Sequence, residues 1–310
     1  MKEKELAPLV IFVYKRPDVT RQMLDAISRN TLAGQTDVFV FCDGYKNDAE
    51  QESVKAVRDI VHDFAKCNYF KSMTIKESPK NHGLANSIIS GVTEIIHKYG
   101  RVIVLEDDLL TSRNFLNFMN DCLDFYEDDD SVWSIGGTLK KLKSLENYKK
   151  DVYACYRVGS WGWATWLERW NRVDWEVSDY DEFMKSRQKK KLFNRGGSDL
   201  TGMLRAQHEG RIDSWAVRWG YQASKENMVS IFPRKSLVKN IGFGAGATHT
   251  ALGKDIYETQ CYEGFVYHLE HVGIDQRLMR EYRWYLSRVY RTLLAYWMRA
   301  SEVWGKIGKR

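Results

Sequence analysis

Residues 101–108 read Arg-Val-Ile-Val-Leu-Glu-Asp-Asp, an apolar run that stops at three adjacent carboxylates, Glu106, Asp107 and Asp108. Clustered anions repel one another and lose hydration, so such a group persists where a cation or a polyhydroxylated ligand compensates it. A second triplet, Asp128-Asp129-Asp130, reads as a plain helix-to-strand turn, because it follows an amphipathic helix. Glu106 instead ends a strand with the look of burial, and open α/β sheets take their ligands at the carboxyl ends of strands. Chemistry is expected at the first triplet, with a solvated acidic loop as the plain alternative.

Other reactive side chains are scattered. His82 lies in an Asn-His-Gly turn, and His249 ends the glycine-rich run Gly244-Ala-Gly-Ala-Thr-His249, whose glycines permit close backbone approach to a ligand. A lone histidine is more often structural than a ligand. His268 and His271 flank Glu270 with nothing else of ligand character tied to them, so a metal reading is set aside there. The segment Gly159-Ser-Trp-Gly-Trp-Ala-Thr-Trp166, followed by Trp170 and Trp175, is dense in indole and glycine. Gly159 to Gly162 are expected to line a binding wall, and the later tryptophans to be buried.

The elements that must position these groups follow from periodicity. Leu9–Val13 reads as a strand, Asp18–Ser28 as a helix, Asp37–Cys42 as a strand ending in Asp43-Gly44, and Ala49–Phe64 as a helix. Met73–Ile75 then reads as a strand, Leu84–Tyr99 as a helix, and Arg101–Leu105 as the fourth strand, running into Glu106. Such alternation implies parallel βαβ crossovers and an α/β fold. A helix at Asn114–Tyr126 follows, with strands at Val132–Ile135 and Val152–Tyr156 around Lys140–Lys150, read as a mobile loop. Asp213 precedes a helix at Ser214–Ser224, a place where an N-cap role is common.

The chain has 310 residues, 44% of them hydrophobic, enough for one large α/β core, and only four prolines, with no linker. Its five cysteines lack CxxC spacing, which argues against a zinc ribbon or a disulfide framework and fits a reducing cytosol. Leu9–Tyr14 is too short for a signal-peptide core or a membrane span. The expected location is cytoplasmic. The net charge is +6, yet residues 276–310 alone hold nine Lys/Arg against two Glu, so the basicity belongs to the tail. There Leu278, Tyr282, Tyr285, Val289, Leu293 and Trp297 recur at helical spacing. Two readings stay open: residues 277–310 meet an anionic membrane surface as a peripheral anchor, or a terminal helix packs on the domain. The expected division is 1–270 for the main domain and 271–310 for the basic helical extension.

Taken in order, these motifs resemble the N-acetylglucosaminyltransferase I-like branch of the GT-A glycosyltransferases, in a bacterial form. The resemblance rests on Ile11 to Arg16, Phe41-Cys42-Asp43-Gly44, Val104 to Phe118 with its Glu-Asp-Asp, and Asp130 to Trp133. It continues through Gly159 to Trp163, Asp213-Ser214-Trp215, Pro233-Arg234, and Phe243-Gly244 to His249. It covers roughly residues 8–250, and the order makes it specific although each motif is weak.

The resemblance implies a GT-A, Rossmann-like mixed sheet flanked by helices and a nucleotide-sugar donor, with a UDP-sugar favoured. It implies that Arg16 meets the donor diphosphate, Asp43 the base, and Glu106 and Asp107 the ribose and sugar. His82, Gly159 and Trp161 are further donor-side candidates. Asp108 would bind Mn²⁺ or Mg²⁺, with His249 a lesser candidate; a hard divalent ion neutralises the charge that develops on a departing diphosphate. An inverting transferase needs a base, and Asp213 is the candidate, although the family's Asp-Asp-Trp is Asp213-Ser214-Trp215 here. If the base is the second residue of that pair, the assignment must move. The acceptor would be a hydroxyl of a glycan or lipid-linked molecule in bacterial surface polysaccharide synthesis. A sugar nucleotidyltransferase is the enzymatic alternative, disfavoured by the lack of glycine in Val13-Tyr14-Lys15-Arg16-Pro17. A basic nucleic-acid-binding protein is the non-enzymatic one; the near-neutral body and the absence of a nucleic-acid motif argue against any nucleic-acid partner.

Overall fold

The computed structural model describes residues 5–139, 141–242, 260–287, 289–290 and 292–294. Ten strands run in chain order: β1 (Leu9–Val13), β2 (Asp37–Cys42), β3 (Ser72–Glu77), β4 (Arg101–Glu106), β5 (Leu109–Thr111), β6 (Val132–Gly136), β7 (Val152–Cys155), β8 (Trp163–Trp166), β9 (Val229–Pro233) and β10 (Val238–Asn240). The helices are α1 (Pro17–Ser28), α2 (Gln51–Ala65), α3 (Leu84–Tyr99), α4 (Phe115–Phe125), α5 (Leu167–Asn171), α6 (Tyr180–Lys185), α7 (Arg187–Phe193), α8 (Leu200–His208), α9 (Trp215–Lys225) and α10 (Gln276–Tyr285).

Eight strands form one sheet in the order β3-β2-β1-β4-β8-β6-β9-β7, and β10 pairs with β5 beside it. The first four strands are parallel. β8 reverses direction between β4 and β6, and β7 reverses against β9. The result is a mixed, Rossmann-like α/β sheet flanked by helices, as expected of a GT-A fold. The carboxyl ends of β1, β2, β4, β6 and β9 all reach one edge, where β8 and β7 begin.

The apolar run of β1 is explained by burial on both faces. Leu9, Ile11 and Val13 enter one core with Met23, Leu24 and Ile27 of α1, and Val57 and Val61 of α2. Val10 and Phe12 enter the other with Ile88, Val92 and Ile95 of α3. Alternate side chains point to opposite faces, so a strand covered on both sides reads as continuous hydrophobics.

The Trp-rich segment holds a surprise. Trp163–Trp166 is a central strand, paired to β4 at Val104↔Trp163 and to β6 at Gly136↔Trp163. Trp163, Trp170 and Trp219 pack together with ring centroids 4.5–6.2 Å apart. Burying aromatic side chains of this size is worth about 1.5–3 kcal/mol each. The stretch expected as a mobile loop also differs: Lys143–Asn147 forms a 3-10 turn held by α10. The Glu281 carboxylate accepts the N–H groups of Lys143 at 2.7 Å and Ser144 at 2.8 Å. Leu278, Met279 and Tyr282 of α10 are buried with Leu142, Tyr153 and Phe232. The start of the basic tail therefore packs on the sheet, while Val289 and Leu293 beyond it are exposed. Among the described residues no helix is long and apolar enough to cross a membrane.

Candidate functional site

β1 and β4 are neighbours, with Phe12 opposite Glu106, so the loop after β1 meets the acidic end of β4. Arg16 lies immediately before Pro17, which opens α1. Its Nη2 donates to Asp107 Oδ1, its Nε lies 3.3 Å from Asp107 Oδ2, and its Nη2 lies 3.0 Å from Asp108 Oδ2. The pairs are sheltered: side-chain exposure is 25% for Arg16, 7% for Asp107 and 14% for Asp108. Among the described residues, Asp107 and Asp108 share the one Arg16 guanidinium, and Glu106 feels it without bonding to it. Burial pushes Glu106 up to about 8, with Asp108 and Asp107 adding to the effect. Burial also pushes Asp107 up to about 6, against the pull of Arg16. Burial disfavours the Arg16 cation, yet the two aspartates outweigh it and hold the group above its usual range.

Gly242 closes this corner. A Cβ on it would lie 2.0 Å from Asp108 Oδ2 and 2.9 Å from Arg16 Nη1, so a larger residue there would have to displace the Asp108 carboxylate and the Arg16 tip. The backbone is pinned by Ile241 N–H donating to the Asp108 carbonyl at 2.9 Å, an extension of the β5–β10 pairing. Sequence reasoning missed Gly242. Gly242 stands two residues after the end of the short strand Val238–Asn240, which has no clear sequence signal of its own.

The end of β2 is organised differently. The Asp43 carboxylate accepts the Gly44 N–H at 2.9 Å, the His82 N–H at 3.0 Å, the Gly83 N–H at 3.1 Å and the Asn81 amide at 3.1 Å. These bonds tie the β3–α3 loop to β2, and Gly83 takes φ +79°, a left-handed conformation that glycine adopts freely. His82 contributes its backbone; its side chain is exposed. Asn81, not singled out in the sequence, is part of this cradle.

A Cβ on Gly83 would lie 3.5 Å from Asp213 Oδ2, which brings Asp213 beside the start of α3 on the same edge. Asp213 is not the N-cap of α9. Ser214 fills that role, its hydroxyl accepting the Val217 N–H at 3.3 Å. The Asp213 side chain is 55% exposed and lies 3.6 Å from Arg218 Nη2. The carboxylate is thus left facing solvent with one neighbouring cation.

Gly159 and Trp161 enter this edge just before β8. Gly159 is buried, and a Cβ there would lie 2.7 Å from the Phe232 ring, so its smallness serves packing. Trp161 is half-buried against the core under α1 and α4. His249 and the Phe243–His249 loop lie outside the described residues, as do Trp297 and most of the tail.

Among the described residues no three His, Cys, Asp or Glu side chains are grouped to enclose a metal ion. The residues present still fit a divalent cation held from one side, because the two carboxylates Asp107 and Asp108 share the single Arg16 guanidinium with Glu106 beside them. Asp108 is the more exposed of the two Arg16-bound carboxylates, and the remaining ligands would be water and substrate oxygens.

No family model matches this chain, and neither does any curated protein. Solved structures similar to it include the mannosyltransferase PcManGT from Pyrobaculum calidifontis in complex with GDP-Man and Mn²⁺, at 14% identity and TM-score 0.41, covering 73% of this chain and 72% of that one. S. aureus TarS is similar at 11% identity and TM-score 0.41, over 74% of this chain and 36% of TarS. Mannose-1-phosphate geranyltransferase from Thermus thermophilus is similar at 9% identity and TM-score 0.37, over 74% of each chain. Likeness this slight carries no argument about what this chain does.

Proposed function

We propose that the protein is an inverting, metal-dependent glycosyltransferase of the N-acetylglucosaminyltransferase I-like type, using a nucleotide-diphosphate sugar, UDP-sugar favoured, to glycosylate a hydroxyl. The observation that carries this reading is the convergence on one sheet edge of Arg16 with Asp107 and Asp108, and of Asp213 with the Asp43-anchored start of α3. Arg16 supplies a guanidinium for the diphosphate once a ligand draws it from the aspartates, and a guanidinium fork suits phosphate oxygens. Glu106 and Asp107 offer oxygens to ribose and sugar hydroxyls. Asp43 acts on the base through the loop it holds, its own carboxylate already accepting four hydrogen bonds. Asp108 would hold Mn²⁺ or Mg²⁺, which supplies charge neutralisation to the leaving diphosphate.

The step balances simply. The bond from the sugar's anomeric carbon to the phosphate oxygen breaks, and its electron pair leaves with the nucleoside diphosphate. A bond from the acceptor oxygen to that carbon forms on the opposite face, and the hydroxyl proton passes to Asp213. An exposed aspartate in a cleft edge is suited to a proton that arrives with a solvent-side acceptor. The glycan or lipid-linked acceptor of a bacterial surface polysaccharide is the context proposed.

Nucleotidyl transfer is disfavoured by the β1–α1 loop. It lacks glycine, Pro17 has no N–H to offer, and Tyr14 and Lys15 both bond Glu50. The test is Asp213→Asn with a panel of nucleotide sugars and Mn²⁺, reading released nucleoside diphosphate. Turnover is expected to fall about 10²–10⁴-fold with donor affinity unchanged; full activity would remove Asp213 from the chemistry.

A further inference from the structure

A cavity of about 310 Å³ opens at the carboxyl ends of β6 and β9, on the same sheet edge as the acidic corner. That size is at the small end of ligand pockets. β9 is three strands from β4, a lateral offset of roughly 14 Å at normal strand spacing. The cavity is therefore beside the donor corner and separate from it. Its floor is apolar, made by Leu142, Tyr153 and Pro233. Its rim is charged and uneven: Lys141, Arg234 and Lys235 against Glu146.

These cations are held in place by different means. Lys235 Nζ sits 5.4 Å from the Tyr262 ring centroid, a cation–π contact that aims the exposed ammonium along the rim. Arg234 is fixed by its backbone N–H to the Asp151 carbonyl at 2.7 Å and by Nη2 to Asp151 Oδ1 at 3.1 Å. Its Nε is buried with no hydrogen-bond partner among the described residues. Lys141 completes the rim from the opposite wall, exposed, next to the turn that α10 holds.

We infer that this cavity is a distal acceptor subsite, seating one unit of an extended acceptor whose reacting hydroxyl reaches Asp213, and that the unit it takes is a saccharide carrying an anionic group, a phosphate or a carboxylate, held by Lys141, Arg234 and Lys235 over the Leu142–Tyr153 floor. The inference rests on the glycosyltransferase reading. The apolar floor and aromatic ring suit the faces of a sugar ring, while the cationic rim selects for charge. Glu146 opposes the anion from one side and limits the affinity of a free ion without the sugar body.

The test uses the full chain with UDP and Mn²⁺ at saturating concentration, so that the donor corner is filled. Saturation-transfer NMR and calorimetry then measure three probes: glucuronate, N-acetylglucosamine 1-phosphate and neutral N-acetylglucosamine. The two anionic sugars are expected to bind at least about 10-fold more tightly than the neutral one. That preference is expected to vanish in the exposed double variant Lys141→Gln/Lys235→Gln, with UDP–Mn²⁺ binding unchanged. Preference for only one of the two anions identifies the group recognised and supports the inference. Equal binding of charged and neutral sugars, no binding of any probe, or preference surviving in the double variant overturns it. Failure of the donor reading would show separately, as wild-type protein that binds neither UDP nor GDP with Mn²⁺.

Discussion

The chain carries two acidic triplets of almost the same composition in opposite circumstances. Glu106-Asp107-Asp108 ends a central strand, sheltered, with one arginine for three carboxylates. Asp128-Asp129-Asp130 turns the chain from α4 into β6, with Asp128 and Asp130 exposed. Asp129 is satisfied locally, accepting the Ser131 N–H at 3.0 Å, the Ser131 hydroxyl at 2.6 Å and a contact from His271 Nδ1 at 2.9 Å. Burial alone would raise it, but these partners win and hold it below its ordinary value. Glu106, with no such partners among the described residues, moves the other way. The same string of charge is thus closed in one place and open to a ligand in the other. What decides is the element that delivers it: a strand end on a both-sides-covered sheet or the turn that follows a helix.

That contrast is most sharply exposed by matched substitutions. Asp108→Asn should lower metal-dependent turnover by about 10³-fold or more, the size of effect a metal-held leaving group represents. Asp128→Asn and Asp130→Asn, measured in the same donor-hydrolysis assay, should match wild type. Equal losses in both triplets would erase the distinction.

Next in size is Arg16→Met. It strips the only described cation from Asp107 and Asp108, so urea unfolding without metal should show a loss of about 1–3 kcal/mol. An unchanged midpoint would mean that the aspartates do not depend on Arg16. The smallest effect belongs to the turn. Asp129→Ala should cost no more than about 1 kcal/mol at pH 7. Because folding lowers the Asp129 pKa, its contribution is present above the ordinary value of 3.8 and is lost as pH falls below it. Thermal melts of wild type and variant should therefore differ at pH 7 and draw together as the pH is taken below 3.8.

The parallel half of the fold was legible because β1, β2, β4 and their helices obey the simple periods of doubly covered strands and one-faced helices. β3, an edge strand with alternating exposure, was found short by three residues: its polar ends, such as Ser72 and Glu77, carry no hydrophobic signal. The burial of Trp163, Trp166 and Trp170 was legible, but Trp163–Trp166 as a central strand was not, because its two neighbours, β4 and β6, are remote in sequence. At the site, Asp107 and Asp108 stood out in the acidic triplet, but their roles, and Arg16 itself, came through the resemblance alone; their contact with Arg16 depends on β1 pairing with β4, which the sequence did not reveal. The Asp43 cradle was not legible either, because it depends on backbone N–H groups at His82 and Gly83 that residue types do not encode. Nor was the N-cap: Ser214 is the capping residue, and Asp213 is left free to face the edge.

The central claim is that the β4 acidic corner is a metal-assisted nucleotide-sugar donor site. Titration calorimetry of wild-type protein with UDP and GDP, each with and without Mn²⁺, tests it most directly. The account predicts binding of one nucleoside diphosphate, UDP favoured, that tightens at least about 10-fold with Mn²⁺ and loses that gain in Asp108→Asn. No binding of either nucleotide, or Mn²⁺-dependent binding that survives intact in Asp108→Asn, would contradict it.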